Sequence, residues 1–305
     1  MDRPAGYHRL TARWNVRRLG DEIEEWVGRE EIRRRFCDDP RRELGEWVAV
    51  PLADAGRTRL ARFRVSTLAT WHRWAGFAAV LGGDLGGWAS VALACRYQCA
   101  ALTARLRMFA VGKETFLAGD EHLAGLAVCD SIVFGDDGGD ALCAQLAAYL
   151  AGPERVGNGF RSAERFPAFA VALHRVWRGR SSQAAEAEGL GKVYGGLLRS
   201  WADDAAFAAA ASAACDYHCA NITQERDGEF FWYALFPTEI VATFRVRAAS
   251  LGRPGPPISH PLLDGPLAGP PADVKAPPDP LLDVVAPWIG AGVEHVLANP
   301  GRRRR

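Results

Sequence analysis

Lysine is nearly absent. Only Lys113, Lys192 and Lys275 are lysines among 37 basic residues, and the rest are arginines. With abundant alanine and glycine, this reads as the bias of a GC-rich genome rather than as selection for guanidinium chemistry. Net charge is also lacking, at +1 over 305 residues, so bulk charge points to no polyanionic partner and nucleic acid is not an expected ligand. No run of about 18 apolar residues occurs, so no transmembrane helix is expected. Met1-Asp2-Arg3-Pro4 leads into a charged stretch with no apolar h-region, which predicts no secretory leader. The seven cysteines are an odd number, mostly in alanine-rich contexts. This favours a reducing, cytoplasmic setting over a disulfide framework. Phosphate-binding loops, a dinucleotide fingerprint, the His-Glu-x-x-His zinc motif and a nucleophile elbow are all missing, so no catalysis is expected.

What is present is a repeat. Ala94-Cys95-Arg96-Tyr97-Gln98-Cys99 returns 120 positions later as Ala214-Cys215-Asp216-Tyr217-His218-Cys219. The match runs on to Thr103 and Thr223 and extends upstream without a gap. It pairs Trp74 with Tyr194, Gly76 with Gly196, Phe77 with Leu197, Leu81 with Trp201 and Asp84 with Asp204. Each copy reads as two antiparallel helices joined by a tight turn. The expected spans are 67–81 and 85–109 in the first copy, and 187–202 and 205–223 in the second. Gly82, Gly83 and Asp84 form one turn, and Asp203 and Asp204 the other. The fold class that follows is all-α, a solenoid-like array of the tetratricopeptide kind. Trp74, Phe77, Leu197 and Trp201 are expected in the core.

Around this duplicated domain (67–252) the chain divides further. Residues 1–66 read as an N-terminal helical module, with a helix over 21–36 stopped by Asp38-Asp39-Pro40. Helices are also expected over 119–134, 140–150 and 166–177, with Asp140 as an N-cap, and one from Phe236-Pro237 to Leu251. Residues 253–287 hold 11 of the 18 prolines, which excludes a continuous helix. Ile258, Leu262 and Leu263 predict that 253–280 is extended and docked on the body. A last helix over 281–298 and a basic tail, 299–305, follow. Residues 1–66 carry a net charge of +3 and residues 67–301 a net of −6, so a mildly acidic body lies between basic ends.

Four constellations could carry chemistry. Cys95/Cys99 and Cys215/Cys219 are each i, i+4, so each pair shares a helix face. If the two helices faced each other, four thiolates could enclose zinc or copper(I). The bland reading is that cysteine is a small hydrophobe at helix crossings, which a repeat would preserve. His218 stands where the first copy has Gln98, as a polar helix-edge residue or a base. Glu114, Asp120, Glu121 and His122 offer acid–base groups, but a Gly-Asp-Glu helix start is also what capping prefers. The acidic turns, Asp136, Asp137 and Asp140 with Asp203 and Asp204, can be solvated turns. Aligned on one edge, they would form a rim for a basic protein partner.

The second half also carries an ordered set of short segments. These are Tyr194-Gly195-Gly196-Leu197-Leu198-Arg199-Ser200-Trp201, Asp216-Tyr217-His218, Glu229-Phe230-Phe231, Leu235-Phe236-Pro237-Thr238-Glu239-Ile240 and His260-Pro261-Leu262-Leu263-Asp264. Over residues 190–265 this layout resembles all-helical bacterial toxin-immunity proteins, in particular those paired with PoNe-type DNA-degrading toxins. The resemblance implies a stoichiometric inhibitor that binds a toxin directly and has no catalysis and no cofactor of its own.

Overall fold

The computed structural model describes residues 16–52, 54–152, 165–221 and 236–299; those residues are all-α, with no strand among them. The chain begins with α1 (Val16–Gly28) and α2 (Glu30–Arg33), then a π-helical turn (Arg34–Asp38) and α3 (Asp39–Trp47). Asp38-Asp39-Pro40 was expected to stop a helix; here the chain stays helical through it. Pro40 falls in the first turn of α3, directly after the π-helical turn. The π turn absorbs the change of register. Trp26 of α1 then packs its ring 6.2 Å from both Trp71 and Trp74.

Helices α4 (Ala55–Leu81) and α5 (Gly87–Ala110) form the first long hairpin. Asp54 starts α4 by accepting a hydrogen bond from Arg57 N at 2.8 Å. The boundary drawn at residue 66 therefore falls inside a continuous helix. The N-terminal segment is not packed separately either. Leu44 of α3, Val65 and Leu68 of α4, and Leu93 and Tyr97 of α5 share one apolar cluster. Gly76 and Gly87 let the two helices touch backbone to backbone: a Cβ on Gly76 would stand 2.6 Å from Gly87 O. Phe77, Leu197 and Trp201 are buried as expected, whereas Trp74 is only half-buried beneath Trp26.

The second hairpin is less regular. In place of one helix over 187–202 there are α9 (Gln183–Glu186) and α10 (Val193–Arg199). Gly189 and Gly191, at φ +74° and +89°, break the chain between them with left-handed backbone. Helix α11 (Asp204–Asn221) starts where expected. Asp203 Oδ1 accepts from Ala205 N and Ala206 N at 2.9 and 3.0 Å. Cys95, Gln98 and Cys99 on α5 are buried, and so are Cys215, His218 and Cys219 on α11. Thr223, the last repeat position, lies outside the described residues, as do Glu229-Phe230-Phe231, Leu235 and the tail Arg302–Arg305.

Between the hairpins run α6 (Ala118–Phe134), α7 (Gly138–Ala151) and α8 (Phe166–Trp177), close to their expected spans. Helix α6 is central, packed on α5, α7, α8 and α12 (Thr238–Leu251). Ahead of α12, Phe236 fills the space between Phe77, Trp88 and Phe134, with ring centroids 5.9, 5.1 and 6.4 Å away. Residues 253–279 contain no α-helix. His260, Leu262 and Leu267 are buried, so the proline-rich segment is docked. Asp279 then caps α13 (Pro280–Ala298), accepting from Leu281 N at 3.0 Å.

Helix α13 is long and apolar enough to cross a membrane by length and composition, with a mean hydropathy of 1.4, where the sequence reading expected no such segment. Its stripe Leu282, Val285, Ile289, Val293 and Val296 is buried in the cluster shared with α3, α4 and α5. Contacts of this kind, α13 on α3–α5 and α12 on α6, are ones a strictly linear stack of repeats lacks.

Candidate functional site

A groove of about 440 Å³ opens between α5, the start of α7 and α13. Its walls are mainly apolar, including Ala100, Ala104, Leu282 and Ile289, and Arg96, Arg107, Asp136 and Asp283 bring charge to its lining. Arg96 Nη2 donates across it to Asp283 Oδ1 at 3.1 Å. The shape follows from helix α13. Its apolar stripe binds α5, while Pro287 and Gly290 leave little side-chain bulk toward the gap.

The acidic turns have unequal fates. Asp140 was expected as an N-cap; it lies inside α7 instead, where Arg178 Nε donates to its Oδ1 at 2.8 Å and His174 Nε2 stands 3.0 Å away. Arg178 also reaches Asp137 at 2.6 Å. At the other turn Asp204 is gripped by Arg247 and Arg253, which hold its carboxyl below the usual range. Asp203 is exposed and caps α11. Asp137 and Asp140 are thus paired with Arg178, and Asp204 with Arg247 and Arg253. Asp136 differs. Its Oδ1 accepts from Gly138 N at 3.1 Å, while its buried Oδ2 has no hydrogen-bond partner.

The cysteines do not form a four-sulfur site. Cys95 and Cys99 turn toward α6, both donating weakly to Ala127 O, with their sulfurs 3.9 Å apart. Asp136 completes a group whose ligand atoms all lie within 4.8 Å of one another. Cys215 and Cys219 instead lie near Glu239 of α12. The reason is packing. Helix α5 packs on α4, α6, α7 and α13, while α11 packs on α10 and α12, so the two Cys faces look at different helices. Burial pushes the Cys219 thiol up to about 12. The hydrogen bond to Cys99, together with burial, pushes Cys95 well above its ordinary value.

No protein-family model matches this chain, and no curated protein or solved structure is significantly similar to it.

Among the described residues, several of those that carried the resemblance are in contact. His218 Nδ1 lies 2.7 Å from Glu239 Oε1, both fully buried. His260 Nε2 lies 3.3 Å from Asp216 Oδ1, and the Tyr194 and Tyr217 rings pack edge to face at 5.8 Å. His218 is therefore a core residue, not a helix-edge one. The group around 114–122 is dispersed. Glu114 accepts from Arg62 at 3.0 Å, Asp120 binds Leu117 N at 2.8 Å and pairs with Arg105, and the His122 ring lies against Phe166.

Sequence reading missed a second buried polar contact. Asp130 accepts from Arg73 at 3.2 Å and from Thr238 Oγ1 at 2.6 Å, inside the core. The signal was available, since a carboxylate in the apolar run Val128-Cys129-Asp130-Ser131-Ile132-Val133 demands a buried partner.

Proposed function

We propose that the protein is a non-catalytic helical binding protein of the toxin-immunity kind, neutralising a basic toxin domain by direct contact in the cytoplasm. On this reading the two hairpins are elaborated copies of one unit. The observation that carries it is the contact among described residues of the resemblance segments. Residues 194, 216–218, 239 and 260, distant in sequence, pair through two acid–histidine contacts and a ring contact. The net charge of −6 over residues 67–301 suits a basic partner, since complementary potentials raise encounter rates and fix register.

The test is to isolate the protein from its host at moderate salt, identify co-eluting chains, and express each alone and together with this protein. The expected result is a stoichiometric basic partner that poisons cells alone and is neutralised by co-expression. A chain that elutes without such a partner would overturn the reading. The contact face is then probed with Asp137→Lys and Asp203→Asn. Asp203→Asn preserves the helix cap while removing charge. Undiminished affinity in both would remove these turns from the interface. Asp204 is unsuited to this test because buried Arg247 depends on it.

A further inference from the structure

We propose that Cys95, Cys99 and Asp136 form a divalent metal site of the zinc class, open to the groove between α5 and α13. The proposal stands on local geometry and not on the immunity reading. Three observations lead to it.

The first is spacing. In a tetrahedral zinc site, Zn–S bonds of about 2.3 Å place two thiolates about 3.8 Å apart. The Cys95 and Cys99 sulfurs stand 3.9 Å apart, held by successive turns of one helix, so two corners of the tetrahedron are already set. The sulfurs and the Asp136 carboxylate fall within 4.8 Å of one another, which places a third ligand within reach of a common ion.

The second is an unanswered acceptor. Asp136 Oδ2 is buried and has no hydrogen-bond partner, although a carboxylate oxygen withdrawn from water costs free energy unless a donor or cation meets it. The Asx turn to Gly138 N uses only Oδ1 and fixes the side chain in place. A cation between Oδ2 and the two sulfurs would answer this acceptor.

The third is access. Cys99 and Asp136 line the groove, so an ion has a way in, and the groove's volume of about 440 Å³ leaves room for water or an exogenous ligand to complete its coordination. Binding converts two thiols to thiolates. Two S–M bonds and one O–M bond form, two S–H bonds break, and two protons leave to solvent. The two thiolates, one carboxylate and a divalent ion sum to −1. Arg96 and Arg107 line the same groove, and Lys275 Nζ, 3.5 Å from Phe134 O beside the turn, adds further positive charge. The mixed sulfur–oxygen donor set suits zinc better than copper(I), which favours sulfur alone. Cys215 and Cys219 have no part in it.

Cobalt(II) titration of the chelator-stripped full chain, without a histidine tag, tests the site. One equivalent should produce thiolate-to-cobalt charge-transfer absorption and the intense visible bands of tetrahedral cobalt, displaced by zinc. About two protons per metal should appear in weakly buffered solution. Cys99→Ser should abolish the charge-transfer band or cut it sharply. Asp136→Asn, which keeps an acceptor for Gly138 N, should weaken cobalt binding by more than about tenfold. Cys215→Ser should leave the titration unchanged. Absence of the thiolate–cobalt band would overturn the proposal. So would a band that survives Asp136→Asn at full affinity, or one that vanishes with Cys215→Ser in folded protein.

Discussion

His218 and Glu239 face each other at 2.7 Å with both side chains sealed from solvent, joining α11 to α12. Burying two ionisable groups is costly, and what their pairing recovers depends on keeping both. Glu239→Ala or His218→Ala should each lower stability by about 3–5 kcal/mol, because the survivor stays buried and loses this contact. Glu239→Ala combined with His218→Ala should cost less than the sum of the two single changes. Urea unfolding of the four members of the cycle checks this; simple additivity would show that the pair is not coupled.

Acid should unfold the protein earlier than its ion pairs alone would suggest. Burial holds His174 near a pKa of about 4, and His72 likewise, so both are neutral in the fold. Unfolded, each would take up a proton near its ordinary value of about 6.5. The stability they contribute is complete above that value and is lost as pH falls toward 4. For fully buried His174 the loss is about 3 kcal/mol across the window. Unfolding free energies measured at intervals from pH 7 to 4 should fall steadily, and His174→Gln should flatten the slope.

Trp201 is 5% exposed, and its Nε1 donates to Ser250 Oγ at 2.9 Å. Trp201→Ala should cost roughly 3–5 kcal/mol through the cavity it leaves. Leu117→Ala, at a side chain 63% exposed, should change stability by less than about 0.5 kcal/mol. Thermal melts of the two variants side by side would reveal a misplaced core if their shifts were similar.

Gly76→Ala should destabilise by about 1–3 kcal/mol, since its methyl would meet Gly87 O and Val91 Cγ2 at 2.6 Å. Gly196→Ala, at the aligned position of the second hairpin, meets nothing within 4 Å and should be neutral or stabilising. Chemical denaturation midpoints decide between this contrast and an equal effect.

Much of the helical layout was legible because apolar spacing and capping are local. The starts of α11 and α12 and the span of α8 follow from Asp203 and from the prolines of Phe166-Pro167 and Phe236-Pro237. Pro40 was misread because proline stops a helix in its middle yet suits its first turn, and sequence alone does not say which turn it occupies. The break at Gly189 and Gly191 was hidden by an alignment that imposed the first copy's continuous helix on the second. At the site, the Cys pairs were visible but their facing was not. Whether α5 looks at α11 or at α6 is a tertiary fact. Asp136 was noticed as one acidic turn residue among several, while its place beside two sulfurs depends on the way α6 and α7 bring their shared turn to α5.

Helix α13 has a kinetic implication. Asp279 at its cap holds Arg41 at 3.0 Å, and Trp288 Nε1 donates to Val50 O at 2.8 Å, each across 238 residues of chain. During synthesis α3, α4 and α5 would stand with an apolar face uncovered until α13 emerges. Closing so long a loop is slow, and the exposed face is vulnerable to aggregation in the interval. The nascent chain should therefore pass through a stage in which its first half is helical but incompletely packed, and deletion of α13 should lower soluble yield more than its length alone would suggest.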